Sequence, residues 1–262
     1  MNAASVIIVG AGVTGMTAAG ALEAAGVSVT VIDKAGRPGG RAAFGRIGGA
    51  LVRQAFPDEH LRAAGVEVIT SPEWQGSPVR RGLVSQLSAT SDGLSVHLAT
   101  PTEQLEAGVV LLTPPLPQAL RILQRSNIDY AERFDEVRFN RQLELMAACA
   151  DGTVSRTVLG ADESTDRWDD DKNFLALEIA AEHSIADPLE LQLKAWRYAV
   201  CANPISYPFG EIAVPAGNLI LAGDAFAADA SSSDLARAAQ SGRAAAAAIT
   251  AKLSKMPPQP GQ

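Results

Sequence analysis

The feature that most constrains this chain lies in its first 35 residues. Ser5 to Val9 reads SVIIV, a continuous apolar run of the buried-strand type. Gly10-Ala11-Gly12-Val13-Thr14-Gly15 follows at once, then a stretch of helical composition over 16–25 that Gly26 stops. Residues 27–32 (VSVTVI) read as a second strand, and Asp33 ends it. A glycine-rich turn alone says little. Set between a strand and a helix, with an acid about 20 residues on, it points to a dinucleotide. Gly10 permits the tight turn, Gly12 lets the backbone approach a pyrophosphate with no Cβ in the way, and Gly15 allows helix to pack closely on strand. The first helical turn, with Val13 and Thr14, offers free N–H groups and partial positive charge to the phosphates. Asp33, with Lys34 beside it, is placed to accept hydrogen bonds from a ribose diol. The competing reading is a glycine-rich turn of another α/β fold with a solvated Asp.

Composition narrows the rest. The chain has 262 residues, 47% hydrophobic and 19% charged, which is enough for a substantial core and unlike a disordered chain. Its net charge of −7 argues against nucleic acid as the main partner. Apolar runs break well before the roughly 18 residues of a membrane span, so no membrane partner is expected. No Lys or Arg precedes the first apolar run, and two cysteines make no disulfide framework, so the cytoplasm is the expected home. Three isolated histidines and no CxxC leave no metal site to name.

Two further motifs follow. After the second strand comes DKAGRPGGR, containing Gly39, Gly40 and Arg41. Near the far end, NLILA over 218–222 is followed by Gly223-Asp224, then Ser233-Asp234 as a helix cap and an Ala-rich helix containing Gln240-Ser241-Gly242-Arg243. This series of acid, glycine doublet and arginine, closed by strand, Gly-Asp and a Ser-Gly helix, resembles the FAD-dependent amine oxidase superfamily. The KAWRYAV segment resembles its renalase-like branch. The resemblance implies a Rossmann-type, glutathione-reductase-like FAD-binding domain, a parallel sheet plus β-meander, with a reduced α+β substrate domain. It implies non-covalent FAD, a small-molecule substrate, and NAD(P)H as a candidate electron donor. The doublet would pass close to the cofactor and Arg41 would support the phosphates. Val84 would meet the adenine through its backbone, and Gly223 and Asp224 the ribityl or pyrophosphate region. The helix start at Leu235 and Ala236 would face the flavin. Trp196 and Tyr198 would line the substrate space or, equally, be core aromatics. Two positions depart from the family: Phe44 stands where Ser or Thr is usual, and Arg237-Ala238 where Gly-Ala is frequent.

Between the motifs, 56–64 reads as a helix and 66–69 as a strand. Residues 83–90 and 94–100 read as a hairpin around Ser91-Asp92-Gly93, 109–112 as a buried strand, and 117–125 as a helix with Pro in its first turn. The stretch 135–148 contains a strand, 171–184 is a helix capped by Asp171, and the alternation over 189–200 is a half-buried strand. The acids over 162–172 read as an exposed loop. The domains expected are 1–125 with 204–256 for FAD, 126–203 for substrate, and a frayed tail at 257–262. Against renalase-like proteins the interval 42–55 is short, which implies a trimmed substrate domain and an open flavin face, with a homo- or hetero-oligomeric partner as one way to cover it. Two functions follow: an oxidoreductase moving hydride from a C–H next to nitrogen to flavin N5, or an FAD-binding protein with lost or non-redox activity.

Overall fold

The computed structural model describes residues 5–56, 58–66, 74–228 and 232–255. Along the chain, strand β1 (Val6–Val9) leads into helix α1 (Val13–Ala24) and strand β2 (Val29–Asp33). A hairpin, β3 (Phe44–Ile47) and β4 (Ala50–Arg53), precedes α2 (Asp58–Ala63) and β5 (Val79–Arg81). Then come β6 (Leu83–Ala89), β7 (Leu94–Thr100), β8 (Thr102–Ala107), β9 (Val109–Leu112) and α3 (Leu116–Arg125). Next are β10 (Phe139–Cys149), β11 (Val154–Val158), α4 (Ala161–Asp166), α5 (Lys172–Glu182) and β12 (Pro188–Cys201). The last elements are β13 (Gly210–Ile212), β14 (Asn218–Leu221) and α6 (Asp234–Leu253). Two compact units result. The first comprises Met1–Ala43, Phe56–Val137 and Pro204–Gln262, the second Phe44–Ala55 and Arg138–Asn203.

The first unit is a mixed α/β domain of Rossmann type. Its six-stranded sheet has the order β13-β14-β9-β1-β2-β5, with β13 antiparallel and the other five strands parallel. Val6 to Val9 are wholly apolar because β1 sits mid-sheet, paired to β2 on one side and β9 on the other. Helices α1 and α6 cover one face, where Ile8, Met16, Leu22, Val31, Leu111, Ile220 and Ile249 form a common core. A separate antiparallel meander, β6-β7-β8, joins β5 to β9. The sequence reading ends this domain at Arg125. The structure carries it to Val137, because Ser126 Oγ accepts the Leu87 N–H at 2.8 Å and Phe134 stacks edge-on against Phe226 at 5.9 Å.

The second unit is a three-stranded antiparallel sheet, order β11-β10-β12. Its odd-numbered face on β10 (Leu143, Leu145) packs with Leu175 and Ile179 of α5. Its even-numbered face (Met146, Ala148) packs with Ile47 and Val52 of the β3–β4 hairpin. Coverage on both sides explains why Leu143 to Cys149 are buried without alternation. The hairpin turns through Gly48 and Gly49 at φ 55° and 80°, the left-handed pair that a two-residue hairpin turn requires. The short interval 42–55 therefore contributes a covering layer to this unit. Within 162–172 the structure differs from the expected loop. Ala161–Asp166 is helical, and Arg167 after it gathers Glu163 of that helix with Glu178 and Glu182 of α5 at 3.6, 3.0 and 2.8 Å, which ties the segment to α5. Residues 67–69 of the expected strand and the expected tail at 257–262 lie outside the described residues.

Candidate functional site

The first unit builds a cradle at the carboxyl end of β1, between β1 and α1. The turn is fixed from behind. Gly10 donates its N–H to the Ile32 carbonyl at 2.7 Å and adopts φ 102°, which only glycine takes without strain. Thr113 Oγ1 lies 2.9 Å from the carbonyl oxygens of both Val9 and Gly10. A Cβ on Gly15 would fall 1.9 Å from the Gly10 carbonyl oxygen, so helix and strand meet here only through glycine. Gly12 differs. A Cβ there would meet no atom within 4 Å, and its backbone is extended. It is the N-cap of α1, with no side-chain cap and no acid in the first turn. The amides of Val13 and Thr14 are thus left with no intrahelical acceptor beside an open space.

The glycine doublet closes one wall. Gly39 donates to the Ala11 carbonyl at 2.7 Å and bridges Gly12, and a Cβ on Gly40 would lie 3.0 Å from Gly12 Cα. Arg41, the next residue, donates from Nη2 to Asp224 Oδ2 at 2.6 Å. Its Nη1 is buried and has no hydrogen-bond partner among the described residues. Two motifs separated by 183 positions are thereby joined by one ion pair, with a donor left over. Asp33 does not leave its carboxylate idle: Oδ2 accepts from Ala11 N–H at 2.9 Å and Oδ1 from Ala35 N–H at 2.7 Å. It shapes the turn, and each oxygen keeps a further lone pair. Lys34 beside it is exposed.

At the other motif, Gly223 donates its N–H to Ser241 Oγ at 3.0 Å. A Cβ on Gly242 would come 2.4 Å from the Thr14 carbonyl oxygen, so the Ser-Gly pair serves the close crossing of α6 with α1. Ser233 caps α6 and accepts the Ala236 N–H at 3.3 Å, while the Leu235 side chain is buried. Arg237 is buried. Its Nε donates to the Asp224 carbonyl at 3.3 Å, and its terminal nitrogens reach the Ser232 carbonyl and pair with Asp234. The arginine that stands where the family favours glycine is consumed by the chain itself. Val84 is buried at the entry of the meander, beside irregular β6–β7 pairing.

The structure places Trp196 and Tyr198 on β12 of the second unit. Trp196 Nε1 donates to Glu144 Oε2 at 3.0 Å, and Tyr198 meets Phe139 edge-on at 5.8 Å. Glu144, 1% exposed, also takes the Arg156 Nε at 2.5 Å and the amide of Ala55, which sits at φ 53°. It fixes the exit of the hairpin, its two oxygens occupied by these three donors. Phe44 belongs to that hairpin, its ring 4.1 Å from the Arg53 guanidinium. Sequence reasoning missed Thr113 and Glu144, and it named Ser241 only as part of the helix motif, not as the acceptor of the Gly223 amide. Among the described residues no three His, Cys, Asp or Glu gather to hold a metal, and no helix is long and apolar enough to cross a membrane.

Comparison with known proteins agrees with the fold of the first unit. A family model described as an NAD(P)-binding Rossmann-like domain matches residues 8–58, which run from the end of β1 through the glycine turn, α1, β2, the doublet and the hairpin. A hydroxyneurosporene desaturase of Rubrivivax gelatinosus is 30% identical over 108 residues, 34% of this chain and 21% of that protein, so the match spans about a fifth of that relative. Cyclohexylamine oxidase from Brevibacterium oxydans IH-35A superposes with a TM-score of 0.62 at 13% identity, covering 96% of this chain and 100% of that one. A putrescine oxidase redesigned in cofactor binding gives 0.65 at 13% identity, covering 95% and 99%. The fold shared with these oxidases is the mixed α/β architecture built on a Rossmann-type parallel sheet.

Proposed function

We propose that the first unit binds FAD without a covalent bond and that the chain is an FAD-dependent oxidoreductase acting on a small molecule. The observation that carries this reading is the buried Arg41 Nη1, a cationic donor with no acceptor among the described residues, next in sequence to a doublet that packs on the open face of Gly12. A buried unpaired donor costs about 1–3 kcal/mol, more for a charged group, so the fold leaves a place for an anion. Gly10, Gly12 and Gly15, with the amides of Val13 and Thr14, hold the pyrophosphate in this reading, and Gly39, Gly40 and Arg41 close over it. Asp33 takes the adenosine ribose beside Lys34, and Val84 the adenine through its backbone. Asp224, oriented by Arg41, takes the ribityl region with Gly223, and the start of α6 at Leu235 and Ala236 supplies the positive end of a helix dipole.

When bound, FAD supplies a two-electron acceptor suited to a C–H next to nitrogen in an amine or a reduced ring. The chain's part is to bind and orient it. The names of the similar proteins, two amine oxidases and a desaturase, support oxidative chemistry on small molecules. The test is direct. The isolated protein should carry flavin absorbance, or take up added FAD with quenching of flavin fluorescence, and amines should bleach it anaerobically. Gly12→Val and Asp33→Ala should both lower FAD retention. A colourless protein that takes up no FAD refutes the reading. A yellow protein bleached by no amine and by no NAD(P)H leaves a binding protein without redox turnover.

A further inference from the structure

The sheet of the second unit has an unusual edge. β12 runs 14 residues, and its inner side pairs with β10 from Phe139↔Cys201 to Cys149↔Pro188. Among the described residues no strand pairs with its outer side. A long free edge offers a row of unpaired N–H and C=O groups. Its sequence from 189 to 195 is LELQLKA, and this reads as its own antiparallel complement about Gln192. Opposing two copies there sets Glu190 against Lys194, Leu191 against Leu193, and Leu189 against Ala195, each twice. Residues of equal parity meet, so the α5 face of one copy continues the α5 face of the other, as a two-fold axis through the sheet demands.

The side chains are ready for that pairing. Leu189 is 75% exposed, the most exposed large apolar side chain among the described residues, and it stands at the irregularity where the β10 pairing passes from Ala148↔Glu190 to Cys149↔Pro188. In the paired arrangement it covers Ala195 and, diagonally, Leu193 of the second copy. Lys194 makes no ion pair among the described residues, because Glu144, opposite it on β10, is taken by Arg156. The Glu190 carboxylate is held on the hairpin face by the Gly48 N–H at 2.6 Å and by the Gln192 side chain, with lone pairs to spare. We propose that the outer edge of β12 is a homodimer surface, on which two copies of this chain join their second units into one six-stranded sheet with Gln192 on the two-fold axis. Charge order points to a second copy as the partner: paired about Gln192, it sets both Glu190 and Lys194 against opposite charges and matches the leucines. This inference does not depend on FAD binding.

Sedimentation of the full chain should give twice the 27.2 kDa chain mass. Lys194→Glu sets like charges opposite each other at two places and should weaken dimerisation by about tenfold or more. The exchange variant Glu190→Lys/Lys194→Glu restores opposite charges and should recover the dimer. Gln192→Cys should cross-link into a covalent dimer under mild oxidation. Glu190→Cys should not, because its own copy lies ~13 Å away along the strand, beyond disulfide reach. Circular dichroism checks that each variant is folded. A wild-type chain that stays monomeric at its highest attainable concentration overturns the proposal. So does a dimer indifferent to Lys194→Glu, or one in which Gln192→Cys does not cross-link.

Discussion

Two glycines of one turn should fail in opposite ways. Gly15 and Gly12 lie three residues apart, and sequence alone treats them as members of one motif. The structure gives them separate duties. A Cβ on Gly15 would stand 1.9 Å from the Gly10 carbonyl oxygen and 2.8 Å from Thr113 Oγ1. Neither neighbour can retreat, because Gly10 is held by Ile32 and its carbonyl by Thr113. Overpacking of this kind costs about 1–3 kcal/mol, and backbone contact puts Gly15→Ala at the upper end. At roughly 2–4 °C per kcal/mol, the melting temperature of the first unit without ligand should fall by about 6–12 °C. Gly12→Ser places its side chain in open space, keeps an ordinary φ of −72°, and installs a favoured N-cap. Its melting temperature without ligand should stay within about 1–2 °C of wild type. The new side chain enters the space assigned to the pyrophosphate, so FAD affinity should drop by about tenfold or more. Thermal melts with and without FAD separate the cases, because a ligand that binds only the folded state raises its melting temperature. If Gly12→Ser lowers the ligand-free melting temperature as far as Gly15→Ala, or gains as much from FAD as wild type, the division of duties is wrong.

The second unit yields three further tests. Glu144→Ala strands the Arg156, Trp196 and Ala55 donors around a vacated buried site, and should destabilise the unit by about 3 kcal/mol, read as an earlier chemical-denaturation midpoint; an unchanged midpoint contradicts the role given to Glu144. The Gly48 N–H, then the Gln192 side chain, hold the Glu190 carboxyl below its ordinary value of 4.5. Its folded value lies below its unfolded value, so the link stabilises the hairpin fully above pH 4.5 and is lost as pH falls through the lower folded value. The Gly48 amide shift, followed by NMR, should inflect below 4.5 in wild type and not in Glu190→Gln. Arg167→Ala removes three exposed acid partners and should cost about 1 kcal/mol at low salt, shrinking in ~1 M NaCl; a loss indifferent to salt would mean that packing, not charge, holds α4 to α5.

Much of this molecule can be read locally, and the reasons are physical. The strand, glycine turn and helix of the opening motif follow from backbone demands that act within a few residues. So do the caps: Asp171 accepts the amides of Asn173 and Phe174, and Ser233 that of Ala236. The buried strand Val109–Leu112 and the hairpin strand Leu94–Thr100 fall where their apolar patterns end. The β3–β4 hairpin carries its signal, Gly48-Gly49, but its flanks are short and include Gly45 packed on Gln54, so no apolar stripe announces it. β5 (VRR) and β13 (GEI) are three-residue edge strands, whose identity comes from the neighbours they pair with.

The cradle divides along the same line. Its glycines are legible because each answers a local constraint. Thr113 is not, since the carbonyls it holds lie more than a hundred positions away, and nothing in LLTPP distinguishes a hydroxyl that locks a turn from one that faces water. Arg237 makes the point most clearly. As a letter in a family pattern, an arginine in place of glycine suggests an altered close approach to the cofactor. In the folded chain its guanidinium is occupied by Asp234 and by the carbonyls of Asp224 and Ser232, which pins the start of α6 to the loop after β14. The guanidinium nitrogen left without a partner among the described residues belongs to Arg41, whose ion-pair partner, Asp224, is fixed in turn through its carbonyl by Arg237. The departure at 237 therefore braces the site, and the reading of Arg41 as the phosphate contact rests on a chain of three side chains that only the tertiary structure assembles.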